Sequence, residues 1–250
     1  MIYYFSGCGN SRYVAEELGR LTHDTVVNLT EVDNPAVPSV VGIVCPVYSW
    51  AVPHLVDDFV RQLASRPAPD YCYLACTCGD NVGRTVERFA RLLRRQGWHL
   101  HAAFSFVMPE TYVNVKGFNL DTPEGAQRKI DAVCERLPQV AQHILQRDPV
   151  VDVVKGGAPW LKTTLANPLF YGLLITDKKF VVHDTCISCG LCEQVCPLHN
   201  ITLHDGRPSW HGHCTNCMAC YHHCPKNAIH FGTATEGKGQ YFFNRNNNNN

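Results

Sequence analysis

Ile2-Tyr3-Tyr4-Phe5-Ser6-Gly7-Cys8-Gly9-Asn10-Ser11 opens the chain and decides how the rest is read. A β-branched and aromatic run gives a strand and the small residues after it a loop. Val14, Leu18 and Leu21 then fall at i, i+4 and i+7, on one face of a helix. The unpaired amides and the dipole of a helix start converge on one point, so this strand-loop-helix is a site for an anion. It lacks the Gly-Lys-Ser/Thr of a nucleoside-triphosphate loop, and also the third glycine and following acid of a dinucleotide fingerprint. A plain glycine turn at a strand end is the alternative.

Working outward, residues 25–29, 40–45, 71–77 and 100–107 read as four more strands. The stripes Leu55, Phe59, Leu63 and Val86, Phe89, Leu92, Leu93 read as crossover helices. Strands alternating with helices predict an α/β fold, a doubly wound five-stranded parallel sheet covered on both faces. A last helix over 123–145 should start under Thr122, with Pro138 expected to kink or split it. The pattern ends near residue 148. Residues 149–178 are expected to bridge two domains and to include a short docking helix. Residues 179–232 are rich in Cys and His and form a second, small α+β domain, and 233–250, ending in five asparagines, is expected to be a disordered tail.

The 22 basic and 22 acidic residues cancel. This argues against nucleic acid as a partner, which would call for a basic excess. The most apolar run, 40–53, is interrupted by Pro46 and is too short for a membrane span. No secretory signal is read at the start, and a cytoplasmic location is expected.

Eight of the 14 cysteines lie between Cys186 and Cys224. Cys186-x2-Cys189-x2-Cys192-x3-Cys196-Pro197 returns as Cys214-x2-Cys217-x2-Cys220-x3-Cys224-Pro225. This is the spacing of bacterial two-cluster ferredoxins, in which the fourth cysteine of each run serves the other cluster. By that pattern Cys186, Cys189, Cys192 and Cys224 hold one [4Fe-4S] cluster, and Cys214, Cys217, Cys220 and Cys196 hold the second. A pair of zinc sites is the alternative, but zinc has no use for three evenly spaced cysteines and a remote fourth. The eight histidines from His183 to His230 are then surplus, exposed or around the clusters. Cys45, Cys72, Cys76 and Cys134 read as small buried apolar groups.

The first loop resembles that of the flavodoxin family, Ser/Thr-x-Thr-Gly-Asn-Thr/Ser, in Ser6, Gly9, Asn10 and Ser11. Cys8 departs from it where the family has threonine. The resemblance implies FMN, with its phosphate at Ser6, Gly7, Cys8, Gly9, Asn10 and Ser11. Two further loops resemble those flanking the flavin ring: Pro46-Val47-Tyr48-Ser49-Trp50, with Tyr48 or Trp50 stacking on it, and Thr77-Cys78-Gly79-Asp80-Asn81-Val82-Gly83 on its other side. Met108-Pro109-Glu110-Thr111-Tyr112 is placed to close the rim, although Asp80 and Glu110 read as solvated single carboxylates. As a whole the chain resembles flavodoxin-ferredoxin fusions. That implies an electron-transfer protein passing electrons between two [4Fe-4S] clusters, FMN and a redox partner protein. The alternatives are a flavin-dependent reductase of a small substrate and a redox-sensing module. Four acidic and four basic residues between Asp177 and Gly232 predict docking that depends weakly on salt.

Overall fold

The computed structural model describes residues 1–157 and 175–244. The docking helix expected within the bridging segment lies largely outside the described residues.

Strands β1 (Ile2–Tyr4), β2 (Val26–Asn28), β3 (Val40–Pro46), β4 (Tyr71–Cys78) and β5 (Ala102–Val107) form a parallel sheet. A sixth strand not foreseen, β6 (Val151–Asp152), pairs with Ala103 and Phe104. The order β2-β1-β3-β4-β5-β6 reverses between β1 and β3. That is the flavodoxin-like winding, whose crevice opens at the carboxyl ends of these two strands. β4 is central and buried at every residue, so it reads as a continuous apolar run rather than an alternating one.

Helices α1 (Asn10–Thr22) and α4 (Pro123–Gln146) cover one face, where Val14, Leu18, Val133, Leu137 and Ile144 pack on Tyr73, Phe104 and Phe106. Helices α2 (His54–Leu63) and α3 (Thr85–Arg95) cover the other, with Val56, Phe59, Val86 and Phe89 packed on Ile43, Leu74 and Cys76. Pro138 does not split α4. It lies on the exposed side, where the carbonyl it leaves unpaired can meet water, while Leu137, Val140 and Ala141 hold that turn to the sheet. Cys45, Cys72 and Cys76 are buried as expected, but Cys134 is exposed, with its sulfur 2.9 Å from Tyr13 Oη. It sits one position past the buried stripe.

In the second half β7 (Phe180–Val182) pairs antiparallel with β10 (Ile229–Phe231), and β8 (Ile201–His204) with β9 (Arg207–Trp210). Two single-turn helices, α5 (Leu191–Gln194) and α6 (Ala219–His222), follow the two cysteine turns. Phe180, Ile201, Tyr221, Ile229 and Phe231 form a small core, into which the first domain inserts Val113. Residues 233–244, expected to be disordered, lie against both halves. They have no core of their own but find buried polar partners. Thr235, fully buried, accepts from the Phe231 amide at 2.9 Å, and Lys238 Nζ donates to the carbonyls of Val113, Val115 and Phe118 at 2.6–2.8 Å.

Candidate functional site

The crevice at the β1/β3 edge is a cavity of about 510 Å³. From the first loop it is lined by Ser6, Gly7, Cys8, Asn10 and Ser11, and from the second by Pro46, Val47, Tyr48, Ser49 and Trp50. Thr77, Cys78, Gly79, Asp80 and Asn81 line it from the third loop, and Met108 to Tyr112 from the fourth. Of the residues in the loops expected around FMN, Gly9, Val82 and Gly83 stand off this lining.

Helix α1 is preceded by Gly9, which takes φ 93° and gives no side-chain cap. The amides of its first turn are left for an incoming anion. Ser6 Oγ accepts from the Gly9 amide at 3.1 Å, Ser11 Oγ lies 2.7 Å from Thr77 Oγ1, and Asn10 Nδ2 donates to the Pro109 carbonyl at 2.9 Å. These bonds tie three of the four loops together. Cys8 Sγ donates at 3.3 Å to the carbonyl of Cys217, across the junction of the two halves, and burial pushes its thiol well above the ordinary range. The residue that departs from the flavodoxin pattern therefore serves a contact between domains. Gly7 serves the same contact: a Cβ there would lie 2.6 Å from Cys217 Cβ.

Ser49 and Trp50 turn the second loop through left-handed conformations, φ 46° and 60°. Trp50 Nε1 donates to Asn81 Oδ1 at 3.0 Å, and its ring rests on Gly83, whose lack of a side chain admits it. Gly83 thus supports the aromatic wall from behind. Tyr48 stands edge-on to Phe5.

Glu110 is not a solvated surface carboxylate. Its carboxyl packs against Gly79, and its Oε1 accepts from the amides of Thr111 and Tyr112 at 2.9 and 2.7 Å. Burial raises its pKa, opposed by those amides and by Lys129. Lys129 Nζ donates to Asp121 Oδ2 at 2.8 Å and to the Gly79 carbonyl at 3.0 Å. Burial alone would raise Asp121, but the bonds from Lys129 and from the Glu110 amide hold it below its ordinary value. Asp80 is exposed, as expected.

Cys186, Cys189, Cys192 and Cys224 border one small space. Cys196 lies close enough to Cys214, Cys217 and Cys220 to raise all three thiols. Each remote cysteine therefore stands with the other run's three, the crossed grouping expected. Backbone amides already point at sulfur: Asn200 to Cys196 at 3.3 Å, Asn216 to Cys214 at 3.2 Å, and Ala228 to Cys224 at 3.2 Å. Burial pushes Cys192 and Cys214 up to about 11 and Cys217 to about 12, so thiolates here need cationic metal beside them. Among the described residues no three His, Cys, Asp or Glu side chains converge on a single ion. Four sulfurs to a set, with backbone amides directed at them, form a donor set that fits a [4Fe-4S] cluster.

Asn216, Cys217 and Met218, on the second cysteine turn, line the flavin-sized cavity from the far side, which the sequence did not announce. The tail then stitches the halves together. Gln240 Nε2 donates to the carbonyls of Tyr221 and Cys224, and the Tyr241 amide to His222 Nδ1 at 3.2 Å. The Phe243 amide donates to the Cys8 carbonyl at 2.8 Å, and its ring stacks on Tyr13 at 4.4 Å. His222 Nε2 lies 2.8 Å from the Thr111 carbonyl, and burial lowers this imidazole to about 4, so it bridges the halves as a neutral ring.

Residues 185–229 match the family model of the 4Fe-4S dicluster domain. Comparison with curated proteins finds no match. Among solved structures, a Trp repressor binding protein from Bacillus subtilis is similar at 15% identity, covering 59% of this chain and 99% of its own, with a TM-score of 0.38. A flavodoxin from Streptococcus pneumonia TIGR4 is similar at 17% identity, covering 58% and 97%, with a TM-score of 0.39. Among the described residues no helix is long and apolar enough to cross a membrane. On its strand order and on the dicluster match, the chain joins a flavodoxin-like domain to a 4Fe-4S dicluster domain.

Proposed function

We propose that this chain is an electron-transfer iron-sulfur flavoprotein: two [4Fe-4S] clusters on the crossed cysteine sets, FMN in the cavity at the sheet edge, and electrons passing between them and a separate redox partner protein. One observation carries the reading. The Asn216–Cys217–Met218 turn belongs both to the second cysteine set and to the cavity wall, so the two cofactor sites share a boundary.

When bound, the clusters supply one-electron chemistry and FMN exchanges one or two electrons. The chain supplies position and exclusion of water. The uncapped start of α1, with Ser6, Asn10 and Ser11, receives the phosphate without a counter-charge. Tyr48, Trp50 and the Thr77 to Asp80 loop, which line the cavity, would hold the ring. The Cys217 turn closes the far side, and the tail holds the first loop through Phe243 and Cys8. The first cysteine set lies outside this wall, with Cys189 exposed and Ile187 56% exposed beside it. That orders the path as cavity, second cluster, first cluster, solvent. Free cysteines throughout the described residues suit a reducing, cytoplasmic setting.

A second reading, a reductase of a small substrate fed by its own clusters, is favoured by Glu110, a half-buried carboxyl able to hold a proton at the cavity wall. Iron, acid-labile sulfide and flavin are to be measured on one anaerobic preparation. Near eight irons and one FMN per chain are expected. Eight irons without flavin, even after incubation with FMN, would refute the flavin half of the reading.

A further inference from the structure

Helices α2 and α3 enclose a second, polar cavity of about 210 Å³. Arg61 enters it from α2 and Arg88, Arg91 and Arg95 from α3, over a floor that includes Val52 and Phe89. The single carboxylate in it is Asp57, which burial pushes up to about 6 although Arg88 and Arg61 attract it. Glu87, on α3, is bound to Lys155 at 2.7 Å. Among the described residues Arg61, Arg91 and Arg95 enter no ion pair.

On α3 the arginines extend past the cavity. Arg84, Arg88, Arg91 and Arg95 fall at i, i+4, i+7 and i+11, one face of the helix and about 16 Å of its length. Arg84 follows Gly83, on which Trp50 rests, so the stripe starts directly behind the aromatic wall of the cavity assigned to FMN. Since the chain as a whole is neutral, the stripe is a local excess of positive charge. The positive charges of Arg61, Arg91 and Arg95, which enter no ion pair among the described residues, repel one another until a partner neutralises them.

We infer that the arginine stripe of α3, with Arg61, is the docking face for an acidic electron-carrier protein, which it brings up behind the aromatic wall of the flavin cavity. The inference rests on the electron-transfer reading above. It differs from the expectation of weak salt dependence, which was drawn from the cysteine-rich half alone. A stripe of this length suits a carboxylate-lined protein surface; a single small anion would occupy the cavity alone.

The test uses the full chain carrying its cofactors, reduced with dithionite and mixed with an acidic [2Fe-2S] ferredoxin or with an uncharged dye as oxidant. With the ferredoxin, raising salt from about 20 to about 300 mM should slow the wild type about tenfold or more. The exposed triple variant Arg61→Glu, Arg91→Glu, Arg95→Glu should be about tenfold slower at low salt and lose most of the salt dependence, with the dye rate unchanged. An unchanged ferredoxin rate in this variant overturns the inference. So does loss of that rate in Ile187→Asp instead, which would put docking at the first cluster. Saturable binding of inorganic phosphate that the triple variant abolishes, with the ferredoxin rate intact, would make the cavity a small-anion site and also overturn it. A chain that dithionite cannot reduce would sink the electron-transfer reading itself.

Discussion

The two halves are held together by different means. The sheet of the first half is covered by two broad apolar layers, one under α1 and α4 and the other under α2 and α3. The second half has a few apolar side chains around Tyr221 and eight cysteines, most of them only partly buried. With so small a core, the second half is expected to draw much of its folding energy from iron-thiolate bonds. One half is therefore expected to be a scaffold with or without its cofactor, and the other to hold its fold only when loaded.

The sharpest way to break that contrast is to remove the metal. Iron chelation, or Cys220→Ser, is expected to unfold residues 180–232 while the parallel sheet keeps its circular dichroism and resists protease. Because the fourth ligands cross, Cys196→Ser should cost both clusters, read as iron loss beyond one cluster's share; an intact second half without iron would end the argument. Next in size is the tail. Truncation after Gly232 removes the Phe243 and Gln240 bonds and should weaken FMN binding about tenfold, close to 1.4 kcal/mol, by flavin fluorescence titration. An unchanged affinity would show that the tail does not support the first loop. Gly7→Ala sharpens the comparison at the junction. Its methyl meets Cys217, and a cost of about 1–3 kcal/mol is expected in thermal melts, falling on the contact between the halves.

The smallest effect belongs to the scaffold alone. Asp57 has a folded pKa of about 6 against an ordinary 3.8, so the folded chain binds its proton more tightly than the unfolded one. The resulting stabilisation is present at low pH and is lost as pH rises through about 6. Asp57→Asn should therefore match the wild type only below about pH 4 and exceed it increasingly toward pH 8, by about 1 kcal/mol once partial exposure is discounted, as read from melting curves. A gain that is larger at pH 5 would have the wrong sign.

Regular patterns made most of this molecule legible in its sequence. Buried strands show as apolar runs and covering helices as stripes, and cluster ligands sit within one turn of each other, so local spacing reveals them. What could not be read depends on distant partners. β6 is two residues long, with no period to show, and its place is fixed by pairing with Ala103 and Phe104. Glu110 reads as a surface acid until Gly79 and the amides after it surround its carboxyl. Cys8 reads only as a departure from the family's threonine until its partner proves to be the Cys217 carbonyl, in the other half of the chain. The tail has no apolar pattern, and Lys238 is fixed by carbonyls more than a hundred residues away.

The central claim is that the cavity and the second cysteine set form one continuous redox site. Stopped-flow mixing of the loaded chain with less than one equivalent of reductant, following cluster and flavin absorption separately, tests it most directly. The account predicts that electrons redistribute between clusters and flavin at a rate independent of protein concentration. A rate that rises in proportion to protein concentration would mean that electrons cross between molecules, and that the shared wall at Cys217 carries none of them.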